Sequence, residues 1–367
     1  MKILYIVSTL RACGPINQLF CLIKYLDRQR FEPIVLTLSP EPSNSISSSF
    51  DKLNVPLYSL ALSRWKGFFV GANQLKNFVT KHSPDIIHSH GLRADALAAK
   101  NLQTYRRVTT IHNYPLDDYP MKFGKLLGYY TAYQHFRTFK QIDLPVACSN
   151  TIQKMVKKHG IDSQVVQNGV DESIYNCPTE QEKQQLRQKL GLSQKKKIFI
   201  TVGALIVRKQ PETVIRGFFS SGFKEQGMLL VVGDGILREN CEKTASKESS
   251  VKFIGQTDDV VSYLKAADYF ISASVAEGLP YSVIEALGCG LPVCLSDIEP
   301  HQEILQLNPE GGQFFVTEDY QSLANCLNEL VTKDRTTCSQ AASTIVSQHL
   351  NAKTMSEKYQ ILYETCN

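Results

Sequence analysis

The chain has 367 residues, of which 43% are hydrophobic and 20% charged, with a formal net charge of +5. That length exceeds the usual single hydrophobic core and leads us to expect two domains of roughly 170 to 190 residues; the composition is ordinary for a globular protein, no apolar run approaches the roughly 18 residues a membrane span needs, and the start reads as neither a signal peptide nor a span. The charge is unevenly spread: residues 1–165 carry 21 Lys and Arg against 10 Asp and Glu, and the remainder is acidic.

In chain order, the first half alternates apolar strand candidates with amphipathic helices, the pattern of a parallel sheet covered on both faces. The strands are expected at Ile3 to Val7, Ile34 to Leu38, Leu57 to Leu60, Ile86 to His88, Val108 to Ile111 and Leu144 to Ala147. The Ser-rich stretch from Glu41 to Ser49 reads as an exposed loop. Met121 to Lys140 interleaves cations with aromatics at helical spacing, which suits either a bilayer interface or a core-facing helix with solvated lysines. Gly169 to Gln194 is polar around Pro178 and reads as a hinge followed by a charged helix. The second half repeats the scheme with Ile198 to Val202, Met228 to Val232, Val251 to Ile254, Tyr269 to Ala273, Pro292 to Leu295 and Gln313 to Val316, and beyond about residue 333 the chain is helical and polar.

The fold class expected is α/β, with two Rossmann-like, doubly wound parallel-sheet domains facing a cleft and a C-terminal helix. The boundaries are 1–168, 169–345, and a terminal helix at 346–367 returning toward the first domain. Ten cysteines lie scattered without a Cys-x-x-Cys pair, several inside apolar runs as at Cys148 and Cys294, and read as buried reduced thiols of a cytosolic protein. The basic half suits an anionic membrane surface or a lipid-linked phosphate; its charges are spread singly and carry no nucleic-acid-binding motif.

Open parallel sheets bind ligands at the carboxyl ends of their strands, and the candidate residues fall on those loops. Gly14 follows the first strand, where it would let a backbone approach a diphosphate or simply make a strand-to-helix turn. His88 and His90 stand at i, i+2 on a strand end without a third metal ligand, which favours a structural role. His112 closes the next strand and could donate a hydrogen bond to a sugar hydroxyl. In the second half, Gly203 ends a strand, Arg208 and Lys209 place cations beside an expected diphosphate, and Gly233-Asp234-Gly235 forms half of a dinucleotide fingerprint.

Most informative is Glu277-Gly278-Leu279-Pro280-Tyr281-Ser282-Val283-Ile284-Glu285, two carboxylates astride a Gly/Pro turn at a helix start. Free N–H groups at such a turn suit a phosphate, and the acids suit hydroxyls. Pro280 is expected in the first helical turn.

In this order the motifs resemble those of retaining glycosyltransferases of family four, with the GT-B architecture, over nearly the whole chain. The resemblance rests on Gly14, Thr110-Ile111-His112, Asn168-Gly169-Val170-Asp171, Val202-Gly203 with Lys209, Gly233-Asp234-Gly235, Glu277 through Glu285, Gly290-Leu291-Pro292-Val293, Ser296-Asp297 and His301-Gln302-Glu303-Ile304. It implies that Glu277 meets the donor sugar's hydroxyls and Glu285 the nucleotide ribose. Gly278, Leu279 and Pro280 would supply backbone contacts, Lys209 would neutralise the diphosphate, and His112 would face the transferred sugar.

Three positions depart from the pattern. Pro15 removes a phosphate-facing N–H, Asn17 stands where an acid is usual, and Ala204 replaces an arginine that Arg208 is expected to stand in for. The resemblance implies transfer of a hexose-type sugar from a nucleotide diphosphate sugar to a glycan or polyprenyl-linked acceptor in polysaccharide synthesis, at the cytoplasmic face of the plasma membrane. No cofactor is expected, and the absence of an Asp-x-Asp pair argues against an essential metal. The rival readings are a non-catalytic nucleotide-sugar-binding subunit and another GT-B enzyme such as an epimerase.

Overall fold

The apolar runs become strands because both faces of each sheet are covered, so consecutive side chains, not alternate ones, must be apolar. In β1 (Lys2–Val7) Ile3, Leu4, Tyr5, Ile6 and Val7 are all buried. The computed structural model describes residues 1–246 and 248–365, and for 64–69 only the course of the backbone. It divides into two compact units, 1–168 with 352–367 and 169–351.

The first unit is a seven-stranded sheet of β1, β2 (Glu32–Thr37), β3 (Leu57–Ser59), β4 (Ile86–His90), β5 (Arg106–Ile111), β6 (Leu144–Ala147) and β7 (Gln164–Val165), in the order β3-β2-β1-β4-β5-β6-β7. All its pairings are parallel. Ile3, Tyr5 and Val7 face a core shared with the helices Gly14–Lys24 and Ala352–Thr365, whereas Leu4 and Ile6 face another with Leu75, Val79 and Ala98. The terminal helix is anchored by Tyr359 and Tyr363, both fully buried, and Ser356 Oγ donates to the Leu22 carbonyl at 2.8 Å. The expected boundary at 345 falls inside the helix Arg335–Gln348 of the second unit.

The second unit is a six-stranded parallel sheet of β8 (Lys197–Val202), β9 (Gly227–Val232), β10 (Val251–Gly255), β11 (Tyr269–Ser272), β12 (Val293–Ser296) and β13 (Gly312–Phe315), ordered β10-β9-β8-β11-β12-β13. The charged helix of the polar segment is Glu180–Lys189, opened by a capping box between Thr179 and Glu182. Its charges are not all solvated: Lys183 and Arg187 are buried on Asp268 at 2.6 and 2.7 Å, and Asp268 also accepts from the Ile198 amide at 2.8 Å. Burial would raise the Asp268 carboxyl, but the surrounding cations pull it below its ordinary value.

Three expectations are corrected. The thiols are not all reduced: Cys294 on β12 and Cys326 on the helix Tyr320–Thr332 form a disulfide where strand and helix pack, with Cα atoms 6.6 Å apart. Seven other cysteines among the described residues stand outside any disulfide, with Cys13 and Cys177 exposed, and Cys366 lies outside the described residues. The stretch from Glu41 to Ser49 is not a plain exposed loop, since the Glu41 carboxylate accepts from the Leu10 amide at 2.9 Å and a short helix, Ser47–Asp51, begins within it. Met121 to Lys140 is two helices, Pro115–Phe123 and Lys125–Phe139, parted at Gly124 with φ of 81°.

Candidate active site

The second unit builds its site from loops leaving adjacent strands. After β8 the chain turns at Gly203, whose φ of 154° suits glycine, and runs to the short 3-10 turn Val207–Lys209. After β9, Gly233 lies so close that a Cβ there would stand 2.0 Å from the Gly203 oxygen, and one on Gly235 would stand 2.5 Å from the Leu205 oxygen. Only glycine permits two backbones to meet in this way. The loops are tied by the Gly203 amide to Val232 O and the Leu205 amide to Asp234 O, each at 3.0 Å. Asp234 is exposed, and its Oδ1 accepts from the Gly235 amide at 2.7 Å, so this acid shapes its own turn.

After β11, the segment Ala273 to Pro280 leads into the helix Tyr281–Gly288, with Pro280 as the N-cap residue, one position earlier than expected. The Val275 amide donates to the Arg208 carbonyl at 2.9 Å, which lays this segment beside the 3-10 turn. Glu277 Oε1 accepts from Lys209 Nζ at 2.5 Å and its Oε2 from an Arg208 guanidinium nitrogen at 2.6 Å; that same nitrogen reaches the Ala276 carbonyl at 2.7 Å. The Glu277 side chain is only 6% exposed. Burial alone would raise its carboxyl, but the Lys209 and Arg208 charges and hydrogen bonds from Lys209 and Ser274 hold it at about 2. It is thus a carboxylate at any physiological pH. Gly278, Leu279 and Pro280 are buried, so any ligand contact they make is through the backbone.

Beneath Glu277 lies a group of buried polar side chains, of which Ser296 and His301 belong to the motifs that carry the resemblance, whereas Ser272 and Ser274 had no signal in the sequence. His301 Nδ1 donates to the Ser296 carbonyl at 2.8 Å, leaving Nε2 as an acceptor 3.4 Å from Ser272 Oγ. Burial lowers His301 to about 4, so it is neutral. Ser296 Oγ donates to the Ser274 carbonyl at 2.6 Å, bracing the strand end that precedes Glu277. A small cavity lined by Gly203, Lys209, Ser272 and Ser274 opens beside them.

The structure therefore brings Gly203, Arg208, Lys209 and Glu277 together, with Gly233 and Asp234 on the adjoining loop. Glu285 stands apart from this contact: it is buried in the helix Tyr281–Gly288 and accepts from the Tyr175 hydroxyl at 3.0 Å. Tyr175 had no local signal in the sequence. Its pairing with Glu285 emerges only from the fold, where Gly288 lets the Tyr175 backbone approach.

In the first unit, Gly14 opens the helix Gly14–Lys24 with Pro15 in its first turn. The Ile16 and Asn17 amides both return to the Cys13 carbonyl, at 3.0 and 2.9 Å. His112 sits just past β5, with Nε2 at 3.1 Å from His90 Nδ1, and burial lowers it to about 4. His88 is structural, bonded to Tyr363 and Thr110. Among the described residues no group of three His, Cys, Asp or Glu is arranged to hold a metal ion, and no helix is long and apolar enough to cross a membrane.

Two family models match, one in each half: glycosyltransferase family 4 over residues 17–174 and glycosyl transferases group 1 over residues 182–344. The O-antigen biosynthesis glycosyltransferase WclY of Escherichia coli is 25% identical, the alignment covering 99% of this chain and 98% of that protein. The UDP-Gal:alpha-D-GlcNAc-diphosphoundecaprenol alpha-1,3-galactosyltransferase of Escherichia coli is 26% identical over 69% of this chain and 68% of that one. Among solved structures, Anabaena HepE in complex with UDP and glucose superposes with a TM-score of 0.84 at 19% identity, covering all of both chains, a likeness of fold. With matches across both halves, two doubly wound parallel sheets and a cationic glycine-loop site at the strand ends, the chain belongs to the GT-B glycosyltransferases.

Proposed function

We propose that the chain is a retaining hexosyltransferase of family four, which uses a nucleotide diphosphate sugar and extends a glycan or polyprenyl-linked acceptor in cell-surface polysaccharide synthesis. The observation that carries this reading is the Arg208–Glu277–Lys209 trio at the glycine loops. One buried carboxylate shared by two cations leaves a surplus positive charge, where an entering diphosphate is drawn and a leaving one stabilised. Relatives named for O-antigen synthesis and for a diphosphoundecaprenol acceptor support the glycan and lipid assignment.

In this reading Lys209 and Arg208 hold the diphosphate, while Glu277 and His112 contact the transferred sugar. Gly278 to Pro280 contribute backbone groups and Glu285 the ribose contact. Displacement proceeds on the front side, the departing diphosphate taking the acceptor proton, and Glu277, ionised throughout, stabilises positive charge building on the sugar ring. No metal takes part. The surface that meets the acceptor's membrane is the helix pair Pro115–Phe123 and Lys125–Phe139.

A thermal-shift panel of UDP-, GDP- and ADP-sugars tests the donor class. One of them is expected to stabilise the protein by about 2.7 kcal/mol at 100 times its dissociation constant. With that donor, turnover is expected to persist in excess chelator. Donor binding without transfer to any lipid-linked acceptor would argue for a non-catalytic subunit, and loss of turnover rescued by manganese or magnesium would overturn the metal-free mechanism.

A further inference from the structure

Three histidines of the first unit are stacked one on the next, His88 on His90 with ring centroids 4.3 Å apart and His90 on His112 at 5.3 Å. The innermost ring is fully partnered. His88 Nδ1 lies 2.7 Å from the Tyr363 hydroxyl and Nε2 2.9 Å from Thr110 Oγ1. The middle ring is not: His90 Nδ1 meets His112 Nε2 at 3.1 Å, while His90 Nε2 is buried without a hydrogen-bond partner.

A neutral imidazole has one N–H and one lone pair, and one of the two must occupy that unpartnered buried position. A buried N–H left without an acceptor is the rarer and costlier arrangement, so the lone pair takes it. The His90 proton then sits on Nδ1 and is donated to His112 Nε2. Since His112 accepts at Nε2, its own proton sits on Nδ1, for which no partner is found among the described residues. Burial keeps both rings neutral, with His90 held well below its ordinary value.

We infer that His90 is a positioning residue, which by donating from Nδ1 fixes His112 in the tautomer whose remaining nitrogen is a hydrogen-bond donor. A ring so fixed offers an N–H to a sugar oxygen and cannot accept from a sugar hydroxyl, so the pair sets the polarity of that contact. The role toward sugar rests on the reading of His112 proposed above, but the tautomer does not.

Long-range proton–nitrogen NMR on protein labelled at its histidine ring nitrogens, without ligand and near neutral pH, reads which nitrogen of each ring is protonated. His112→Gln and His90→Phe spectra identify the two rings. In the parent protein His112 is expected as the Nδ1–H form. In His90→Phe, which keeps an aromatic ring in the stack but removes the donor, it is expected to shift to Nε2–H; in His90→Asn, whose amide stands in for Nδ1–H, it is expected to stay. A parent His112 protonated on Nε2, or one indifferent to His90→Phe, overturns the inference. If the tautomer is as argued and His112→Gln leaves donor affinity and turnover unchanged, the inference about His90 stands and the sugar contact of His112 falls.

Discussion

At the scale of single residues, the electrostatics of Glu277 separate two jobs that one motif performs. Its two oxygens each take a cation, so the acid orients Lys209 and Arg208, and in the proposed reading it also meets a sugar hydroxyl. If the cations hold phosphate, removing either weakens donor binding by the worth of a charged hydrogen bond, about 1.5 to 3 kcal/mol, which is roughly tenfold or more. Arg208→Ala and Lys209→Ala are both expected to show that loss by calorimetric titration with the nucleoside diphosphate. An unchanged affinity in Arg208→Ala would mean that it does not compensate for Ala204. Glu277→Gln is expected to behave in the opposite way. Both cations remain, so nucleoside diphosphate binding survives, while turnover falls roughly 10²- to 10³-fold as transition-state stabilisation is lost. If Glu277→Gln abolishes diphosphate binding instead, the acid organises the phosphate site and the sugar contact lies elsewhere.

At the scale of elements, the helix pair Pro115–Phe123 and Lys125–Phe139 carries one face into the core and offers the other to solvent. Gly128, Ala132, His135, Phe136 and Phe139 are buried, and a Cβ on Gly128 would stand 2.4 Å from the Pro120 backbone, so glycine sets how closely the two helices approach. On the outer face Leu126 is 92% and Tyr130 63% exposed, beside Leu127, Tyr129 and Tyr133. Aromatic and leucine side chains with nearby Lys122 and Lys125 are what an anionic bilayer surface binds. Sedimentation with anionic vesicles at low salt is expected to carry the protein down, and Leu126→Glu with Leu127→Glu to release it. Each buried leucine is worth about 1.5 to 3 kcal/mol, so the double variant should lose well over tenfold in partition. Failure of the parent to sediment, or equal sedimentation of the variant, excludes attachment through this face. The core-facing reading of the segment describes its inner face, the bilayer reading of the outer face rests on that sedimentation, and the break at Gly124 was missed. Strands buried on both faces were legible as unbroken apolar runs, whereas β7, two residues at a sheet edge, leaves no such run. That Lys209 and Glu277 belong to one site was legible because both stand on strand-end loops of one sheet, but their direct contact was not. Ser272, Ser274 and Tyr175 were not legible, and His301 stood in a motif without a role, because a hydroxyl or imidazole within a sequence gains its meaning only from which strands lie side by side, here β8, β11 and β12.

At the scale of the whole molecule, the two units differ in how many neutral histidines they bury, and this fixes the order in which acid should open them. The first unit contains His88, His90 and His112; burial lowers His88 to about 3 and His112 to about 4, and His90 well below the ordinary 6.5. In the second unit His301 is the counterpart, lowered to about 4. A histidine whose folded pKa is depressed contributes stability that is complete above the unfolded value, and loses it as pH falls, because the unfolded chain takes up the proton first. Each such ring costs about 1.4 kcal/mol per pH unit below about 6.5, so the first unit should weaken by about 4 kcal/mol per unit and the second by about 1.4. Glu277 adds its own loss to the second unit only in a lower window, from its ordinary 4.5 toward 2. Hydrogen exchange followed by mass spectrometry at stepwise lower pH should therefore show peptides from 1–168 and 352–365 losing protection first, between about pH 6 and 4.5. Those from 169–351 should follow only below that range. Simultaneous opening, or opening of the second unit first, would mean that the buried histidines do not set the acid response; the aspartate cluster around Asp268, whose cations stabilise its charged form, would then be the next group to vary.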